Sequence, residues 1–205
     1  MTGKFITFEG PEGSGKSVQV FELASRLKQA GREVVKVRAP GGTPLCEGIR
    51  GLLQHDMAGE SPVPRAEIML FFASHAQLAE KIIRPALERG CIVIADRYID
   101  STTAYQGYAR GLGPEVVRAM GRFAVNGLMP DKTILLDVST GVGFSRIKGE
   151  LDRMERAGMD FHERVRAAYL EMAAKDMERW AIVDGSQDVA IVRSQVWDIA
   201  EHILS

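Results

Sequence analysis

The chain reads as an α/β protein: a parallel β-sheet with helices on both faces. Val-, Ile- and Leu-rich runs of strand length recur at Lys4–Glu9, Glu33–Arg38, Cys91–Ala95, Thr133–Val138 and Ala181–Val183. Patterns of helical length separate them, at Lys16–Ala30, Arg65–Arg89, Pro114–Gly127, Phe161–Arg179 and Val189–Ile203. Strands spaced by helices pair in parallel and bury both faces of their sheet. A third observation is local: Phe5-Ile6-Thr7-Phe8 feeds straight into a glycine-rich loop, and a helix follows at once.

That loop is Gly10-Pro11-Glu12-Gly13-Ser14-Gly15-Lys16-Ser17, with Val18, Phe21, Leu23, Ala24 and Leu27 following at helical spacing. G-x-x-x-x-G-K-S between a strand and a helix is a phosphate-binding pattern. Its small residues let backbone N–H groups turn toward a polyphosphate, and the helix N-terminus adds its dipole. Lys16 is placed to reach the β and γ phosphates, and Ser17 to hold Mg²⁺ through its hydroxyl. These residues predict a nucleoside triphosphate site.

The second strand ends in Arg38-Ala39-Pro40-Gly41-Gly42-Thr43-Pro44, with Glu47 and Arg50 beyond. Arg38 suits bidentate recognition of a phosphate or carboxylate; an ordinary surface loop accounts for the same residues. In the helical run Met69–Gln77, either Phe71 or Phe72 belongs to the core or offers a face for stacking on a base. His75 is read there as a base contact or as a satisfied helix residue.

Gly90 closes the long helix before the third strand, as Gly31 closes the first. The strand Ile92-Val93-Ile94-Ala95 then delivers Asp96-Arg97-Tyr98. An acid there can organise Mg²⁺ and Arg97 can clamp a phosphate; a structural ion pair is the plainer account. Ser101-Thr102-Thr103-Ala104-Tyr105-Gln106-Gly107 combines hydroxyls, a ring and an amide, suited to a sugar and a base edge or to a capped, buried helix start. Ligands of such sheets bind beyond the carboxyl ends of the strands, where Glu9, Arg38, Asp96 and Asp137 fall.

Residues 1–205 read as one domain, with a segment at 141–160 of different character. It carries Arg146, Lys148, Glu150, Asp152, Arg153, Glu155, Arg156 and Asp160, interrupted by Gly149 and Gly158. It reads as a lid bringing cations over transferring phosphates, or as a solvated charged helix.

The bulk numbers narrow the class. Acidic and basic residues number 27 and 26, for a net charge of -1, which implies neither a nucleic-acid nor a membrane surface. The two cysteines, Cys46 and Cys91, do not make a disulfide framework. Met1-Thr2-Gly3-Lys4 leads directly into the first strand, and no apolar run is long enough to cross a bilayer. The expected location is the cytoplasm.

Together these segments resemble the thymidylate kinases, P-loop enzymes that phosphorylate dTMP with ATP. The resemblance spans nearly the whole chain. It rests on Phe8-Glu9-Gly10 and the phosphate loop, Arg38 through Arg50, Asp96-Arg97-Tyr98 and Ser101 through Gly107. It continues through Leu136-Asp137-Val138, Gly149-Glu150-Leu151-Asp152-Arg153 and Tyr169. It implies a P-loop nucleotide kinase fold with a short lid, Mg²⁺ held at Ser17 and Asp96, ATP and dTMP as substrates, and a homodimer.

In that resemblance Gly10 through Ser17 hold the ATP phosphates, Glu12 lies near the acceptor's sugar, and Arg38 and Arg97 clamp its phosphate. Ser101 joins the acceptor site. Phe71 stacks on thymine, Tyr105 disfavours a ribose 2′-hydroxyl, and Gln106 meets the base edge. Some family members carry Arg in the phosphate loop, where this chain has Gly13; others take catalytic cations from the lid. This chain looks like the second kind, with Arg146, Lys148 and Arg153 as candidates beside Lys16 and Arg97. His75 stands where the family usually has Arg, which opens the base preference. Two alternatives remain: a kinase for another pyrimidine nucleotide or a deoxynucleoside, and a non-enzymatic ATP-dependent switch.

Overall fold

Side-chain alternation along the strands decides which helices cover which face of the sheet. The computed structural model describes residues 3–55 and 59–204. Met1 and Thr2, where the chain was expected to lead straight into the first strand, lie outside the described residues. Five strands, β1 (Lys4–Glu9), β2 (Val34–Arg38), β3 (Ile92–Asp96), β4 (Lys132–Asp137) and β5 (Trp180–Asp184), form an all-parallel sheet ordered β2-β3-β1-β4-β5.

Helices α1 (Lys16–Gln29) and α9 (Val189–Leu204) cover one face, where Ile6, Phe8, Ile94, Ile134 and Leu136 meet Val20, Leu23 and Val196. The intervening residues point the other way. Phe5, Val93 and Ala95 pack with Leu78 and Ile83, while Leu135 packs with Val165 and Tyr169. Strands apolar on both sides are what a doubly covered sheet requires. Each such side chain contributes roughly 1.5–3 kcal/mol on burial. Among the described residues, no helix is long and apolar enough to cross a membrane.

Three segments depart from the expected elements. The loop after β2 winds into α2 (Pro44–Gln54), because Thr43 caps it by accepting from the Cys46 N–H at 3.2 Å and Pro44 starts the first turn. The expected helix Arg65–Arg89 is divided into α3 (Pro64–Leu78), a π-helical turn at Ala79–Ile83 and α4 (Arg84–Glu88). Pro85 has no N–H to give the preceding turn and crowds it, so the helix widens there.

A second π-helical stretch, Thr103–Ala109, follows the short α5 (Ile99–Thr102) and precedes α6 (Pro114–Ala124). The expected lid segment begins within α7 (Thr140–Arg146) and ends in α8 (Met159–Lys175), with one 3-10 turn, Glu155–Ala157, between them. Helix α8 stops short of Arg179, because the Arg179 and Trp180 N–H groups both bond back to Asp176 to turn the chain into β5.

Candidate active site

Strand register assembles the polar rim. Phe8 pairs with Asp96, and Asp96 pairs with Arg38 on its other side, so the tips of β1, β3 and β2 lie level. Beyond them opens a cavity of about 700 Å³. The phosphate loop and Arg146 line one end; Phe71, His75 and Gln106 line the other, with Arg97 also on the wall.

At the phosphate end, Lys16 is buried and curls over its own loop, donating to the Gly10 and Pro11 carbonyls at 3.1 and 2.8 Å. Burial, then Arg97, lowers its ammonium to about 8. The loop is set closely against its neighbours. A side chain at Gly13 would run into the Gly143 carbonyl of α7, in a backbone conformation of φ +67° that glycine favours. An arginine at this position therefore has no room. Ser17 Oγ donates to Asp96 Oδ2 at 2.5 Å. Two hard oxygen donors beside the glycine-rich loop fit a hard divalent cation such as Mg²⁺.

Between the two ends lies a network of charge. Arg97, with φ 70°, lies 2.9 Å from Glu12 and donates to Gly10 O, Ser101 Oγ and Tyr169 OH, each at 3.1 Å. Tyr105 OH donates to Glu12 at 2.6 Å. Burial pushes Glu12 up, but Arg97 and then Lys16 outweigh it and hold the carboxyl at about 2. Glu9 differs: burial, then Asp100, raises it to about 7, although the Tyr98 N–H, Ser101 and Tyr169 all donate to it. The two acids thus sit on opposite sides of the ordinary range, Glu12 on the cavity wall and Glu9 fully buried behind it, joined through Ser101 and Tyr169; perturbed carboxyls of this kind cluster at functional sites.

The acceptor end separates the two phenylalanines. Phe71 lines the cavity, whereas Phe72 is buried against Ile68 and Val117. His75 is 2% exposed, its Nε2 sits 3.0 Å from Thr102 Oγ1, and burial lowers it to about 3, so the ring is neutral. Its Nδ1 has no partner. Arg38 lies at the rim, donating to Glu47 at 2.9 Å, while Arg50 donates to Pro40 O at 2.9 Å.

The three candidate cations of the 141–160 segment part company. Arg146 lines the cavity and donates to Gly185 O at 2.8 Å. Lys148 is exposed to solvent. Arg153 turns inward instead, donating to Leu53 O at 2.8 Å and pairing with the buried Glu67 at 2.5 Å. Glu67 and Thr102 were not singled out from the sequence. An acid in the first turn of a helix looks like any other that complements the dipole, and nothing local announces its burial. Thr102 stood inside a segment that was singled out, but its bond depends on a residue 27 positions away.

Fold and site together define a P-loop phosphotransferase whose cavity continues from the phosphate loop to Phe71, His75 and Gln106. The family model for thymidylate kinase matches residues 8–196. Thymidylate kinase of Bifidobacterium longum subsp. infantis is 46% identical over 98% of this chain and 85% of its own length. That of Thermomicrobium roseum is 46% identical over 98% and 95%. The crystal structure of thymidylate kinase from Ehrlichia chaffeensis is similar with a TM-score of 0.79 at 32% identity, covering 98% of this chain and 99% of that one. The chain belongs to the thymidylate kinase family.

Proposed function

We propose that this protein transfers the γ-phosphoryl group of ATP to the 5′-phosphate of dTMP. The bond from the γ phosphorus to its bridging oxygen breaks as one forms to an acceptor phosphate oxygen, giving ADP and dTDP. The observation that carries this reading is the continuity of one cavity, from the phosphate loop past Arg97 to Phe71. A switch that only senses ATP has no use for the second half, and family membership supports thymidylate as its occupant.

The acceptor is already anionic, so alignment and charge stabilisation account for most of the rate. Lys16 leaves its loop carbonyls for the β and γ phosphates. Arg97, fixed by Glu12 and Tyr169, meets the acceptor phosphate with Arg38. Phe71 stacks on the base, and Tyr105, tied to Glu12, crowds the sugar's 2′ position. Arg146 and Lys148 supply positive charge from the lid, and Arg153 anchors its far end on Glu67. Ser17 and Asp96 would hold Mg²⁺, which would supply positive charge to the polyphosphate.

The reading includes a homodimer, for which exposed Met69, Val116 and Phe123 on α3 and α6 offer apolar surface. It also includes a cytoplasmic location. Steady-state assays of dTMP, dUMP, dCMP and the ribose analogue of dTMP with Mg²⁺–ATP test it. Preference for dTMP is the expected result. Preference for another pyrimidine would keep the kinase and point to His75, and ATP binding without transfer to any acceptor would overturn the reading.

A further inference from the structure

Glu67 stands behind the cavity wall, 1% exposed, and three groups converge on its carboxylate. Arg110 Nε donates to Oε1 at 2.8 Å, Arg153 Nη2 lies 2.5 Å from Oε2, and Gln106 Nε2 donates to Oε1 at 3.0 Å. A carboxylate between two guanidinium groups accepts hydrogen bonds and donates none. The Gln106 amide therefore has one admissible orientation, with its amino group toward Glu67 and its oxygen turned away. Gln106 is fully buried and lines the cavity, and its Oε1 has no partner. A buried carbonyl oxygen left in that state is costly until a donor reaches it.

We infer that Glu67 is a positioning residue for the base-edge contact that the family resemblance gives Gln106: by holding the Gln106 amino group, it leaves Oε1 as the atom to meet the imino N–H of the acceptor's pyrimidine. The inference deepens the dTMP reading and rests on it. Thymine and uracil carry hydrogen at N3 and can satisfy the oxygen. Cytosine has a lone pair at N3, and two acceptors would face each other. His75 is neutral and contributes no charge to that edge, so amide polarity carries the discrimination. Arg153 belongs to the 141–160 segment, and the same ion pair therefore ties base reading to the seating of the lid.

The decisive variant is Glu67→Gln, which offers both a donor and an acceptor and frees Gln106 to turn over. Its kcat/KM for dTMP, dUMP and dCMP is measured beside calorimetric Kd values for the same nucleotides. The dTMP-over-dCMP ratio is expected to fall about tenfold or more, the loss of one well-placed hydrogen bond. The dTMP-over-dUMP ratio and the KM for ATP stay as in the wild type, because neither depends on N3. An unchanged dTMP-over-dCMP ratio overturns the inference, as does an equal loss for every acceptor and for ATP.

Gln106→Leu keeps the test open if Glu67→Gln does not fold. It is expected to weaken dTMP about tenfold and to leave dCMP no weaker, because the opposed acceptor is gone; equal weakening overturns the inference. Calorimetry separates the two levels of argument. Wild-type preference for dTMP without any transfer would sink the kinase reading alone. Efficient phosphorylation of dTMP with the ratio intact in Glu67→Gln would sink the inference alone.

Discussion

Glu9 shows how much one side chain's surroundings matter. Its carboxyl, ordinarily at 4.5, is raised to about 7, so the folded protein keeps a proton that the unfolded chain releases in that interval. The stability it contributes is full below about pH 4.5 and is lost as pH rises through about 7, because the folded state binds more protons there. In Glu9→Gln this dependence disappears. The wild type's advantage over the variant in chemical unfolding should therefore shrink across that window, by at most about 3 kcal/mol. A difference that does not change with pH would refute the assignment. The sequence placed Glu9 at a strand tip, yet Tyr169, 160 positions away, supplies one of its hydrogen bonds.

Among the elements, the contact between the phosphate loop and α7 is the tightest. A methyl group at Gly143 would meet the Glu12 carbonyl, just as one at Gly13 would meet Gly143. Gly143→Ala should lower stability by about 1–3 kcal/mol through overpacking. It should also raise the KM for ATP, because relief of the clash moves the loop that holds the phosphates. Unfolding midpoint and donor KM measured together check this, and wild-type values for both would show that α7 yields freely. The helix boundaries carry a similar lesson. Thr43-Pro44 is a legible start for α2, whereas the π-helical turn over Thr103–Ala109 has no such signature, and it is this stretch that brings Tyr105 and Gln106 to the cavity.

For the molecule as a whole, the continuity of the cavity from the phosphate loop to Phe71 predicts how ligands stabilise it. Each ligand at about 100 times its Kd adds roughly 2.7 kcal/mol. That corresponds to a rise in Tm of about 5–10 °C for a chain of this size. dTMP and Mg²⁺–ATP should each produce such a shift in the wild type. In Lys16→Ala the dTMP shift should persist, the ATP shift should shrink, and turnover should fall by about 100-fold or more. Retained turnover in a folded Lys16→Ala protein would remove Lys16 from the mechanism.

Local order along the chain was enough for the parallel sheet, the phosphate loop and the tips that carry Arg38, Asp96 and Arg97. Strand periodicity, glycine spacing and the residue after a strand are all properties of neighbours in sequence. Residue pattern alone kept Phe71 and Phe72 together, and only the family resemblance named Phe71. Tertiary structure separates them physically, because the packing of α3 against α6 encloses Phe72 with Ile68 and Val117. It likewise set Arg153 on Glu67 and left the buried Gln106 oxygen without a hydrogen-bond partner. Burial and hydrogen-bond direction depend on partners far apart in the chain, and the fold alone brings those partners together.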